Sequence, residues 1–218
     1  MFLVTAPGRQ WPQRRSLPSF VAVADVTLAL APVVAALLAL GAYLLTLSPS
    51  ISWADGLSDS GELAAAAYVL GVPHPTTYPL YMILGWAVSH LPFGEPAYDL
   101  NLLSALCGAL TAGLVAVLAR ALGARSAVGR GDELHGRRLR GRQPSIAACG
   151  PLMGGLIFAA VPAFWIQATG SETRTLAAAL GVAVLVALVY GLHLGSRQER
   201  QAQQMVRQGN AFDGPRDR

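Results

Sequence analysis

Four apolar stretches, each close to or above the length needed to cross a lipid bilayer, constrain this chain more than any other feature. They occupy residues 21–47, 100–119, 146–166 and 175–194. A helix needs about 20 apolar residues to span a hydrocarbon core about 30 Å thick. Because 53% of the residues are hydrophobic and only 13% are charged, an ordinary soluble domain is excluded. The sequence predicts an all-α, polytopic membrane protein with four transmembrane helices.

A shorter apolar stretch, residues 79–91, lies between Pro79 and Pro92. As a helix it would be about 20 Å long, which is too short to span. If it stays on one side of the membrane, fifteen of the sixteen basic residues, all of them Arg, fall on the opposite side, and only Arg174 is external. The positive-inside rule then predicts cytoplasmic N- and C-termini. Residues 79–91 are expected to form an interfacial or re-entrant helix on the outer face.

The predicted organisation follows from this topology. Residues 1–20 form a basic cytoplasmic N-terminus, and residues 21–194 form a membrane domain with an external loop at 48–99 and a cytoplasmic Arg-rich loop at 120–145. Residues 195–218, rich in Gln and Arg, are expected to be a flexible cytoplasmic tail. The basic residues lie between apolar stretches and not on the face of a folded domain, so nucleic acid is not an expected partner.

The external loop carries acids in a segment, residues 53–81, that contains no Lys or Arg. Asp59 and Glu62 are spaced as the N-cap and N3 positions of an alanine-rich helix at 63–70. Such a pair forms a capping box and suits the positive end of the helix dipole. The same carboxylates also suit a cationic, metal-bound or proton-donating partner. The residues themselves leave both interpretations open.

Several short motifs along the chain carry a family resemblance. They are DSGEL at 59–63, GVPHP at 71–75 with YPLY at 78–81, NLLSA at 101–105, and FWIQA at 164–168 followed by SET at 171–173. In this order and spacing they resemble the amino-terminal part of a membrane glycosyltransferase family of the GT-C type. That family is known in bacteria as a domain of unknown function and is related to a eukaryotic transmembrane O-mannosyltransferase acting on plexin-type receptors.

The resemblance implies a GT-C fold with its active site at the outer face of the plasma (inner) membrane. A polyprenyl-phosphate sugar would be the donor, and a protein or glycan hydroxyl the acceptor. By analogy Asp59 is the catalytic base and Glu62 a supporting acid. The implied substrate-binding residues are His74, at the donor phosphate, together with Tyr78, Glu172 and Asn101. Asp59 and Glu172 are the candidate ligands if a divalent metal is required.

Most of these residues also fit simpler roles. His74 suits a turn residue, Glu172 a partner of Arg174, and Asn101 a hydrogen-bonded tie between helices. Asp55 and Asp99 are expected to be solvated loop acids, and Gly150 and Gly154 to allow close helix approach. The alternative function is a non-catalytic scaffold or transporter module with structural acids. Members of the family continue through further helices, so the chain is expected to be an amino-terminal portion, with a second chain as a conceivable source of the rest.

Overall fold

The structure, a computed structural model, describes residues 20–53, 59–74, 78–132 and 144–212. All the regular secondary structure in these residues is α-helical. The helices, in chain order, are α1 (Phe20–Leu45), α2 (Ser60–Tyr68), α3 (Pro79–Ser89), α4 (Pro96–Asp132), α5 (Pro144–Ala159), α6 (Pro162–Thr169) and α7 (Arg174–Phe212). These residues contain no strand. The predicted all-α, polytopic class is confirmed.

Three helices are long and apolar enough to cross a membrane, over Leu28–Leu45 in α1, Pro96–Gly123 in α4 and Arg174–Val206 in α7. The predicted third span, residues 146–166, is not one continuous helix. Its place is taken by α5 and α6, which are bent by 69° relative to each other and make a fourth span only if counted as a pair. The break comes at Val161, whose backbone is extended (φ −61°, ψ 122°) because the following Pro162 disfavours helical geometry in the residue before it.

Helix α4 is the centre of the bundle and packs against α1, α5, α6 and α7 as well as against α2 and α3. Its contacts with the other spans are lined by small residues. A Cβ on Gly108 would lie 2.8 Å from Ala168 Cβ, and a Cβ on Gly155 would lie 2.6 Å from the Ala112 carbonyl oxygen. Such spacing lets helix backbones approach closely, which is how helices associate in lipid.

The glycines that permit this contact are not the pair predicted from the sequence. A Cβ on Gly150 would meet nothing within 4 Å, and one on Gly154 would have only an ordinary contact, 3.6 Å from Ala119 Cβ. The close approach is made by Gly155, one residue further on, which lies about 100° around the helix from Gly154. The predicted motif therefore identified the right helix and the wrong face.

Two predicted irregular segments are partly helical. Helix α4 continues to Asp132, into the predicted cytoplasmic loop, and α7 continues to Phe212, into the predicted tail. The reason is local, since Gln, Arg, Glu, Ala and Met are all good helix formers. The flexibility of that tail stays a prediction. The predicted N-terminus at 1–19, the rest of that loop at 133–143 and the final residues, 213–218, lie outside the described residues.

Helices α2 and α3 form a small layer against the start of α4. Leu63 and Ala67 of α2, Tyr81 and Met82 of α3, and Leu100 of α4 share one buried apolar cluster. At 11 residues, α3 is too short to span, and its interfacial position stays a prediction.

A tight reversal follows α2. The Gly71 amide donates to the Ala66 carbonyl at 2.7 Å and the Leu70 amide to the Ala67 carbonyl at 3.2 Å, the two bonds of a Schellman motif. Leu70 occupies the left-handed position, with φ of 51°. The reversal sends the chain back toward the start of α2.

Candidate functional site

The contacts of Asp59 and Glu62, at the N-terminus of α2, show whether these two acids form a capping box. Asp59 occupies the N-cap position with a helical backbone (φ −88°, ψ −4°), and its side chain makes no capping hydrogen bond. The Glu62 carboxylate bonds His74. The predicted capping box is therefore wrong, and both carboxylates turn toward a histidine that the chain reversal brings back.

Glu62 holds His74 through two hydrogen bonds. The His74 backbone amide donates to Glu62 Oε1 at 2.6 Å, and His74 Nδ1 lies 3.0 Å from Glu62 Oε2. The other ring nitrogen, Nε2, lies 3.8 Å from Asp59 Oδ2. We refer to Asp59, Glu62 and His74 as the acid–histidine cluster.

The cluster is accessible from solvent, and Glu62 in it is ionised. The side chains of His74, Asp59 and Glu62 are 36%, 46% and 48% exposed, so a ligand can reach all three. The hydrogen bonds from the His74 ring and backbone hold the pKa of Glu62 below its usual value. Glu62 is thus a carboxylate at neutral pH. The Tyr78 ring lies edge-on to the imidazole, with centroids 6.3 Å apart, and its predicted role in substrate binding stays a prediction.

A buried acid, Glu172, lies within electrostatic range of this cluster. Its side chain is 3% exposed, and its Oε1 has no hydrogen-bond partner among the described residues. Ser104 fixes the backbone here, accepting from the Glu172 amide at 3.2 Å and lying 3.3 Å from its carbonyl oxygen. Burial raises the pKa of Glu172; Arg174 opposes that shift, and the charge of Asp59 adds to it.

Tyr81 belongs to the same buried region and was not identified from the sequence. Its side chain is 2% exposed, and its hydroxyl makes no hydrogen bond to any described residue. Burial raises the pKa of this hydroxyl above its usual range; the nearby Ser104 hydroxyl opposes that shift, and the charge of Glu172 adds to it. The only signal was its place in the motif at 78–81, since nothing in that motif distinguishes a buried hydroxyl from an apolar ring.

Asn101 serves as a tie between segments. It is fully buried and donates from Nδ2 to the carbonyls of Ser48 (2.8 Å) and Ser50 (3.1 Å), while its Oδ1 accepts from Ser171 Oγ at 2.6 Å. These bonds hold the segment after α1 and the segment before α7 against α4. Its predicted contact with substrate stays a prediction.

Asp99 departs from the prediction for a solvated acid. It lies in the first turn of α4, fully buried, and neither carboxylate oxygen has a hydrogen-bond partner among the described residues. Sequence position suggested a loop, whereas α4 begins earlier, at Pro96. The other acid predicted to be solvated, Asp55, lies outside the described residues.

Within residues 20–53, 59–74, 78–132 and 144–212, no three His, Cys, Asp or Glu side chains are grouped so that they could hold a metal ion. The predicted candidate ligands, Asp59 and Glu172, are one half-exposed and one buried side chain. Their role as metal ligands stays a prediction.

Comparison with known proteins covers this whole region. Residues 59–208 match the family model described as the protein O-mannosyl-transferase TMEM260 N-terminal domain. The chain belongs to this family. The match to the TMEM260 N-terminal family begins at Asp59 and includes Glu62, His74, Asn101 and Glu172. The predicted resemblance is confirmed.

A curated relative supports the same relationship. The chain is 50% identical over 58 residues to the protein O-mannosyl-transferase TMEM260 of Mus musculus. That stretch covers 26% of this chain and 8% of the mouse protein, so the chain corresponds to a small part of that relative's length. No solved structure gives a significant match.

Proposed function

We propose that this chain is a membrane glycosyltransferase, or the amino-terminal part of one. It transfers a sugar from a polyprenyl-phosphate donor to a protein or glycan hydroxyl at the outer membrane face. The family match to a protein O-mannosyl-transferase domain supports sugar transfer as the reaction class. The donor, the acceptor and the membrane face are proposals that follow from the resemblance and from the chemistry below.

The observation that carries this proposal is the arrangement of Asp59 and Glu62 around His74. Both acids stand at the start of a helix, where they would suffice as caps, yet the Asp59 side chain makes no capping bond and the Glu62 side chain bonds His74. Carboxylates and an imidazole held in contact and half exposed are suited to moving a proton.

Sugar transfer needs such a proton acceptor. As the acceptor hydroxyl attacks the anomeric carbon, its proton must pass to a base within hydrogen-bond reach. Asp59, which is half exposed, is proposed as that base. The negative charge that develops on the leaving phosphate needs a donor or cation to stabilise it, and Arg174, exposed beside Glu172, is the basic residue of this region.

The setting of the reaction is proposed from charge. Apart from Arg174, every Arg lies on one side of the chain's predicted topology, which favours cytoplasmic termini and an external loop at 48–99. The lipid-linked donor would then approach from the outer leaflet of the plasma membrane, close to α2 and α3. A second chain that completes the donor groove is part of the proposal.

The test follows transfer of labelled sugar in membranes that contain the wild-type chain or Asp59→Asn, with a small panel of polyprenyl-phosphate donors. Asparagine has nearly the same shape and cannot accept the proton as a carboxylate does. Transfer is expected with the wild type and is expected to be lost in Asp59→Asn at equal expression. Glu95→Gln, at an exposed acid of the same predicted loop, is the matched control and should retain transfer.

Two results would contradict the proposal. Equal transfer by Asp59→Asn would remove Asp59 as the base. No transfer by the wild type with any donor, at an expression equal to that of an active family member, would favour the alternative of a non-catalytic scaffold or transporter module.

A further inference from the structure

The three members of the acid–histidine cluster make different contacts, which suit them to different roles. Glu62 holds both the backbone amide and Nδ1 of His74, whereas Asp59 lies against Nε2. An ionised carboxylate can only accept hydrogen bonds. Because Nδ1 lies 3.0 Å from Glu62 and Nε2 lies 3.8 Å from Asp59, the geometry favours a neutral imidazole with its proton on Nδ1 and its lone pair on Nε2 toward Asp59.

We infer, building on the proposed function, that Glu62 is a positioning residue that aims Nε2 at Asp59, and that His74 takes the acceptor's proton from Asp59 during sugar transfer. In this step the acceptor oxygen bonds to the anomeric carbon. The bond from that carbon to the phosphate oxygen breaks, and its electron pair leaves with the phosphate. The hydroxyl proton passes to Asp59, then to Nε2, and finally from the imidazolium to water.

The distances and exposures suit this sequence of events. The separation of 3.8 Å between Nε2 and Asp59 Oδ2 is longer than a hydrogen bond, so the two groups must approach by about 1 Å when substrate binds. Contacts of this kind are commonly long before substrate arrives. His74 is 36% exposed, which gives the imidazolium a route to release its proton.

Charged groups surround the His74 ring. Glu62 is ionised and in direct contact with the ring, and Asp59 regains its charge once it has passed on the proton. Glu172 lies in the segment before α7, and the charges of Asp59, His74 and Arg174 all affect its pKa. Its Oε1, which has no hydrogen-bond partner among the residues the structure describes, is a second polar group in electrostatic range of the cluster.

The same geometry argues against the predicted contact between His74 and the donor phosphate. Each ring nitrogen faces a carboxylate, Nδ1 toward Glu62 and Nε2 toward Asp59. A phosphate approaching either nitrogen would meet a like charge at close range. Proton transfer within the cluster uses both nitrogens as they stand.

The first test reads the ring proton directly and needs no activity. Histidine-selective ¹⁵N NMR of the purified chain in micelles, at a pH where imidazoles are neutral, should show His74 with its proton on Nδ1. The signal is assigned by its loss in His74→Gln. In Glu62→Gln the preference for this tautomer should weaken, whereas the His90 signal, from a ring outside the cluster, should not change. A wild-type His74 protonated on Nε2 would overturn the inference.

The second test follows the pH dependence of transfer. Wild-type kcat should fall as the pH drops, because a protonated His74 cannot take the proton from Asp59. In His74→Gln we expect kcat to be lower by about 10-fold or more, an unchanged KM for the donor, and a different acid limb of the pH profile. Glu62→Gln should show the same change in weaker form, and His90→Gln should match the wild type.

The outcomes separate this inference from the function it rests on. If the wild type transfers sugar and His74→Gln keeps the same acid limb, the relay is wrong and the proposed function stands. If His74→Gln raises only the donor KM, the ring contacts the phosphate and the relay is also wrong. If the wild type transfers nothing, the proposed function and the relay fail together.

Discussion

Replacing Gly155 with alanine tests how closely α5 packs against its neighbours. A Cβ at this position would lie 2.6 Å from the carbonyl oxygen of Ala112 in α4, and 3.1 and 3.2 Å from the Cβ atoms of Ala35 in α1 and Ala116 in α4. The nearest atom belongs to a helix backbone and cannot rotate away. The added methyl group can be accommodated only if α5 moves outward from both helices.

The size of the effect follows from two opposing contributions. Forcing an extra carbon into a well-packed contact costs about 1–3 kcal/mol, and a carbonyl at 2.6 Å belongs at the upper end of that range. Replacing a helical glycine with alanine returns about 1 kcal/mol. The expected net loss in the free energy of unfolding is about 2 kcal/mol, which corresponds to a fall in Tm of about 4–8 °C for a chain of this size.

Gly154→Ala is the matched control, because its Cβ would meet only Ala119 Cβ at the ordinary distance of 3.6 Å. It should be as stable as the wild type or more stable by up to about 1 kcal/mol. Thermal unfolding of both variants in the same detergent, followed by circular dichroism, gives the comparison. If Gly155→Ala unfolds at the same temperature as Gly154→Ala, the close packing of α5 on α4 and α1 is refuted.

Three further predictions concern single residues. Leu70→Gly should stabilise the chain by up to about 1 kcal/mol, because a φ of 51° is sterically unfavourable for leucine and not for glycine. The control Leu70→Ala keeps the unfavourable Cβ, so it should not raise the Tm. Folding raises the pKa of Glu172, so the wild type loses folding stability as the pH rises above about 4.5 and the buried carboxyl ionises. Glu172→Gln has no such group, so its Tm should rise relative to that of the wild type over the same pH range, and parallel Tm–pH curves would contradict this. Asn101→Ala should cost about 2 kcal/mol in thermal unfolding, because it removes the three hydrogen bonds that this fully buried side chain makes. A loss below about 0.5 kcal/mol would show that water replaces it.

The helical class and three of the four spans could be predicted from hydropathy alone, because a bilayer demands long apolar helices and little else. The break before Pro162 was readable in principle from the restriction that proline places on the preceding residue. Hydropathy did not reveal the bend, because the residues on both sides of the break are apolar. The extent of α7 beyond residue 194 depended on helix propensity, which hydropathy does not measure.

The sequence named residues of the candidate site but did not predict the contacts between them. Spacing identified Asp59 and Glu62 as a pair, but the same spacing suits a capping box, and only the chain reversal at Leu70 and Gly71 brings His74 within reach. The burial of Glu172 and Tyr81 arises from packing between segments far apart in sequence. No local pattern reports such contacts.

The contact between Glu62 and His74 has a consequence for the order in which the site forms. It joins residues 12 positions apart, whereas Glu172 meets Ser104 across 68 positions. Loop closure costs about 0.6 kcal/mol more for each doubling of length, and loops of about ten residues close in about 10–100 ns. The exposed half of the site can thus close once residues 59–74 are free to fold, whereas the buried half must wait until residue 172 is available.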